Sequence, residues 1–112
     1  MLKLDNRLKK RKSFNYIYRK GKHIGNEVLT LVFVPARVRE VKIGFSVSKK
    51  VGNAVTRNKA TRKMKSAARE LVPLINPNHT LIFVAKEGID KIHVNDIKMA
   101  MENVLTRAKV LR

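Results

Sequence analysis

The chain is 112 residues long, one domain's worth, and its 44% hydrophobic content is enough for a modest core. Against 8 Asp and Glu stand 26 Lys and Arg, a formal net charge of +18 that a small folded domain tolerates best beside a polyanion. The lack of cysteine excludes disulfides, thiolate nucleophiles and Cys-based metal sites; no apolar run approaches the roughly 20 residues of a bilayer span, and residues 1–12 lack the apolar centre of a signal peptide, so a cytoplasmic protein with no membrane role is expected.

Residues 2–12 hold six basic side chains and one acid, Asp5, without a steady apolar period, and read as a basic N-terminal arm occupying residues 1–12 of a single domain, 1–112. Ser13 is a candidate N-cap for a short helix that sets Phe14, Ile17 and Tyr18 on one face, leaves Tyr16 at the surface and stops at Gly21. Residues 27–35 are apolar on both alternating sets, the pattern of a strand covered on both faces. Across a charged turn at 36–40, residues 41–47 alternate as a half-buried strand, and the two are expected to form a hairpin.

Gly52-Asn53 then breaks the chain, and Asn53 can cap a helix over residues 54–71, ended by Pro73 and the Asn76-Pro77 pair. Residues 80–85 form a further strand. Residues 94–108 space Ile97, Ala100, Met101, Val104 and Leu105 as an amphipathic closing helix. The order of helix, strands, helix, strand and helix describes a small α+β domain with its helices packed on a sheet.

On the long helix, Ala60, Met64, Ala67, Ala68, Leu71 and Ile75 gather on one side, while Asn58, Arg62, Lys65 and Arg69 line another. Between positions 49 and 69 lie eight cations (Lys49, Lys50, Arg57, Lys59, Arg62, Lys63, Lys65 and Arg69) and no acid. A charge run is usually just a solvated face, but such a face normally intersperses Glu, so the missing acids favour phosphate contact. Arg can grip two phosphate oxygens at once, and the helix start near Asn53 adds free backbone amides.

Phe14 and Tyr18 are one helical turn apart. Two readings fit that spacing: rings offered to unpaired bases, or rings reaching into the core. An independent active site is not expected. His23, His79 and His93 are scattered with no carboxylate at ligand spacing, the eight acids form no recognisable pair, and no phosphate-cradling glycine motif occurs.

The stretch Gly44-Phe45-Ser46-Val47-Ser48-Lys49-Lys50-Val51-Gly52-Asn53-Ala54-Val55-Thr56-Arg57-Asn58-Lys59 closely resembles the signature of the bacterial ribonuclease P protein family. Agreement extends to Asn6-Arg7-Leu8 and Phe14 upstream, and to Arg62, Arg69-Glu70 and Leu81-Ile82-Phe83-Val84-Ala85-Lys86 downstream. The resemblance implies a mixed four-stranded sheet with one short strand and three helices, in the order αβββαβα, with a crossover helix between parallel strands.

It also implies the protein subunit of an RNA enzyme, with no catalytic residue of its own. The catalytic RNA, using Mg²⁺ that it mainly binds itself, removes the 5′ leader of precursor tRNA; the protein binds both, and no protein partner is required. The RNA-facing residues would be Lys49, Arg57, Asn58, Lys59, Arg62, Lys65 and Arg69. The leader cleft between the first helix and the sheet would be walled by Phe14, Tyr18, Ser48 and Lys50, and whether protein side chains hold any metal is left open. Three positions depart from the family pattern. Lys59 stands where Arg is usual and Thr61 where Lys is common, both reducing grip on phosphate, and Val32 replaces an aromatic residue. The alternatives are a ribosomal or ribosome-associated RNA-binding protein, which the residue 44–59 signature argues against, and a small metal-dependent nuclease, which needs clustered carboxylates.

Overall fold

A computed structural model describes residues 11–35 and 41–112 and, within the first helix, side chains from Phe14 onward. Most of the basic arm and the charged turn at 36–40 lie outside the described residues. The elements are α1 (Arg11–Lys20), β1 (Lys22–Gly25), β2 (Leu29–Pro35), β3 (Lys42–Ser46), α2 (Ala54–Leu71), β4 (His79–Ala85) and α3 (Val94–Ala108), with 3₁₀ turns at Val72–Leu74 and Ile89–Lys91. Helix α1 takes in Arg11 and Lys12, so Ser13 lies inside it and is not its N-cap. Ile17 is buried at the centre of its apolar stripe.

The sheet order is β1-β2-β4-β3. The expected hairpin between the second and third strands is therefore absent: β4 pairs antiparallel with β2 and parallel with β3, and α2 forms the crossover. An interior strand must be apolar on both faces. In β4, Leu81, Ile82 and Phe83 meet that demand and are fully buried, whereas β3 carries Lys42 and Ser46 and suits an edge.

Two cores result. Leu29, Leu31 and Phe33 of β2 with Leu81 and Phe83 of β4 face α2 and α3, packing on Ala60, Met64, Ala67, Leu71, Ile97, Met101 and Leu105. On the other face, Val32, Val34 and Ile82 pack under Ile17 of α1, with Phe14 and Tyr18 partly buried at the margin. The two-sided apolar pattern of residues 27–35 has this origin. Gly21 closes α1 by donating to the Ile17 carbonyl at 2.7 Å. A Cβ there would stand 2.5 Å from that oxygen and 2.9 Å from the Phe33 carbonyl, so the position needs glycine for close approach of α1 to β2.

Candidate RNA-binding surface

Helix α2 begins where Asn53 turns its side-chain oxygen to accept from the Thr56 amide at 2.9 Å, and it runs over the residues expected from its cap and its terminating proline. Its buried stripe is Ala60, Met64, Ala67, Ala68 and Leu71. With that side fixed against the sheet and α3, Asn58, Arg62 and Arg69 are exposed on the opposite side, Lys65 is half-buried beside them, Lys59 is exposed on the flank and Lys49 is exposed in the turn before the helix. Arg57 is half-buried, and its Nε is buried without a hydrogen-bond partner.

The eight cations of this segment are not equivalent. Lys63 directs its ammonium to the carbonyls of Asp90 and Ile92, both at 2.8 Å, tying α2 to the 3₁₀ turn before α3. Among the described residues, Arg62, Lys65 and Arg69 have no hydrogen-bond or ion-pair partner. Glu70, the single acid of α2, is drawn away by Lys98 of α3, 3.0 Å distant. The hydrogen bond and charge of Glu70 raise the Lys98 pKa above its usual value. The outer stripe of α2 thus remains a row of cations with no counter-charge among the described residues.

Phe14 and Tyr18 form a tilted pair, centroids 6.5 Å apart and planes at 41°. Each ring packs on the second core and keeps part of its surface open. Helix α1 lies on β2 and β4. In register beside it, Ser46 of β3 pairs with Val84 of β4, which itself packs against the cluster under α1. Val32, where an aromatic was noted as usual, is buried beneath α1.

Ser48 and Lys50 are exposed. They line a hollow of about 450 Å³ with Glu27, Val51, Ala85, Lys86 and Glu87, and Phe14 and Tyr18 are not among its walls. Lys86 there donates to the Asn26 carbonyl. A second hollow, of about 470 Å³, lies on α2 itself among Val55, Asn58, Thr61, Arg62 and Lys65. Val55 belongs to the signature stretch and is 75% exposed; an isolated valine at a helix start carries no pattern of its own that marks it as part of a hollow. No group of three or more His, Cys, Asp or Glu able to hold a metal occurs among the described residues, and no helix among them is long and apolar enough to cross a membrane.

The family model for ribonuclease P matches residues 2–109. The ribonuclease P protein component of Alkaliphilus metalliredigens is 32% identical over 107 residues, 96% of each chain. That of Clostridium botulinum strain Loch Maree is 35% identical over 107 residues, covering 95% of this chain and 96% of its own. Among solved structures, the RNase P protein of Staphylococcus aureus superposes with a TM-score of 0.84 at 30% identity, covering 96% of this chain and 98% of that one. The Thermotoga maritima RNase P protein shares the fold, with a TM-score of 0.81 at 23% identity over 90% of this chain and 96% of that one. Near end-to-end coverage, with the sheet order and crossover already described, leads to one conclusion: the chain belongs to the ribonuclease P protein family, the protein components of an endoribonuclease whose partner is an RNA.

Proposed function

We propose that the outer face of α2 (Arg57, Asn58, Lys59, Arg62, Lys65 and Arg69, with Lys49 from the preceding turn) binds the catalytic RNA of ribonuclease P. In this reading Phe14 and Tyr18, with Ser48 and Lys50, contact the 5′ leader of precursor tRNA, and the protein thereby promotes endonucleolytic removal of the leader. The observation that carries the proposal is the cation stripe itself: its one neighbouring acid, Glu70, is held by Lys98, so the stripe's charge is directed outward.

Catalytic RNA and precursor tRNA are both polyanions and repel one another. A +18 protein touching both replaces part of the counterion atmosphere that would otherwise hold them together. The described residues do not fit a protein-built Mg²⁺ cage, having no cluster of carboxylates, so the proposal leaves Mg²⁺ with the RNA and gives the protein binding and orientation. The test is cleavage of a leader-bearing precursor tRNA at low Mg²⁺ by the protein alone, by a bacterial ribonuclease P RNA alone, and by the two together. Cleavage that depends on the mixture is the expected result. No gain over RNA alone overturns the assigned role in leader removal, and product from protein alone reveals an unrecognised active site.

A further inference from the structure

We propose that the hollow on α2 among Val55, Asn58, Thr61, Arg62 and Lys65 receives one unstacked adenine of the bound RNA, making this face a reader of a base as well as a binder of phosphate. The inference rests on the proposed contact between α2 and the catalytic RNA and goes beyond it in chemistry.

Its walls are mostly carbon, although they stand on the cationic face of α2. A single exposed valine is ordinary, but Val55 lies 75% exposed at the edge of this concavity, among side chains that recur every three or four residues along one side of the helix. Thr61 adds little polarity, because its hydroxyl donates to the Arg57 carbonyl at 3.0 Å and is thus committed to the backbone. The aliphatic stems of Arg62 and Lys65 complete the lining, with their charged ends free to reach water or phosphate.

A phosphate group would gain little inside such a hollow, whereas the face of a nucleobase is flat, weakly hydrated and able to lie against carbon. Charge complementarity makes the occupant RNA: Arg62 and Lys65 at the rim would hold the phosphates on either side of the inserted base. Asn58 decides which base. It is exposed, no partner for its amide exists among the described residues, and it presents a donor and an acceptor side by side. That arrangement matches the N6 and N7 groups of adenine, while guanine offers two acceptors on the same edge.

The test compares salt titrations of ribonuclease P RNA binding for the unchanged chain, Val55→Ser, Val55→Leu and Arg62→Ala, with circular dichroism confirming the fold. Base insertion is not a counterion effect, so Val55→Ser should weaken binding about tenfold at every salt concentration without changing the slope. Val55→Leu, which keeps the apolar surface, should bind within about twofold of the unchanged chain, and Arg62→Ala should flatten the slope by about one. Probing the saturated complexes with diethyl pyrocarbonate, which attacks adenine N7, should show an adenine protected by the unchanged chain and reactive with Asn58→Asp. Unaltered affinity in Val55→Ser, a changed slope in that variant, or the absence of a protected adenine each overturns the proposal while leaving the α2 contact standing. Failure of the unchanged chain to bind this RNA overturns both.

Discussion

Replacing Lys63 with Met should destabilise the fold while hardly affecting RNA binding, the reverse of what its neighbours on α2 should show. The ammonium donates to two carbonyls, Asp90 and Ile92, each at 2.8 Å, and methionine keeps most of the stem while removing both bonds. Buried charge-assisted bonds are worth about 1.5–3 kcal/mol apiece. Both carbonyls belong to half-buried residues that water can reach, which brings the expected loss for the pair to about 2 kcal/mol. With an unfolding entropy of about 2.1 cal/mol/K per residue over 112 residues, that corresponds to a melting temperature lower by about 8 °C. Thermal and urea unfolding give the stability; filter binding to the catalytic RNA across a salt series gives affinity and slope. If Lys63→Met keeps its stability to within about 0.5 kcal/mol and flattens the salt slope as Arg62→Ala does, the clamp is immaterial and Lys63 belongs to the RNA surface.

Gly21→Ala should force α1 away from β2, because the new methyl meets two backbone carbonyls; calorimetry should show a loss of about 1–3 kcal/mol. Phe14→Ala should cost about 1–2 kcal/mol of stability, less than a fully buried ring, and should weaken precursor tRNA binding about tenfold more than mature tRNA binding; equal losses would make the ring an anchor of α1 only. Glu70→Gln should leave the melting temperature nearly unchanged at neutral pH, since the Glu70 side chain is 62% exposed, and should tighten RNA binding about twofold at low salt by removing the one acid on α2. Because Glu70 raises the Lys98 pKa, any stability from that pair is complete at neutral pH and disappears only as pH climbs through the alkaline range where Lys98 loses its proton.

What could be read from sequence divides by the range of the interaction. Helices α2 and α3 are legible almost to the residue, because Asn53, Pro73 and the apolar spacing are local signals. The faces of β2 are legible for the same reason, but its neighbour is not: alternation says which side a residue faces, and the partner that displaces β3 arrives more than forty residues later. The cationic stripe shows itself through missing acids, yet Lys63 looks like every other cation in the run. Its partners are main-chain carbonyls 27 and 29 residues away, which leave no trace in side-chain sequence. The grouping of Ser48 and Lys50 with the rings comes only from the family resemblance, since nothing local in the sequence relates residues thirty or more positions apart.

The two proposed RNA contacts stand on opposite faces of one sheet: α2 packs on the face bearing Leu31 and Leu81, and α1 on the face bearing Val32 and Ile82. Strands β2 and β4 between them are apolar and buried on both sides, a wall whose close packing resists small displacements. A change at Phe14 should therefore not be felt at Arg62, and losses at sites without shared partners add to within about 0.3–0.5 kcal/mol. In a double-mutant cycle of Phe14→Ala and Arg62→Ala, read as precursor tRNA affinity of the assembled protein–RNA complex, the double variant should lose the sum of the single losses. A coupling above about 1 kcal/mol would mean that the RNAs, or the sheet itself, link the two faces, and the wall would then have to be regarded as part of the binding machinery.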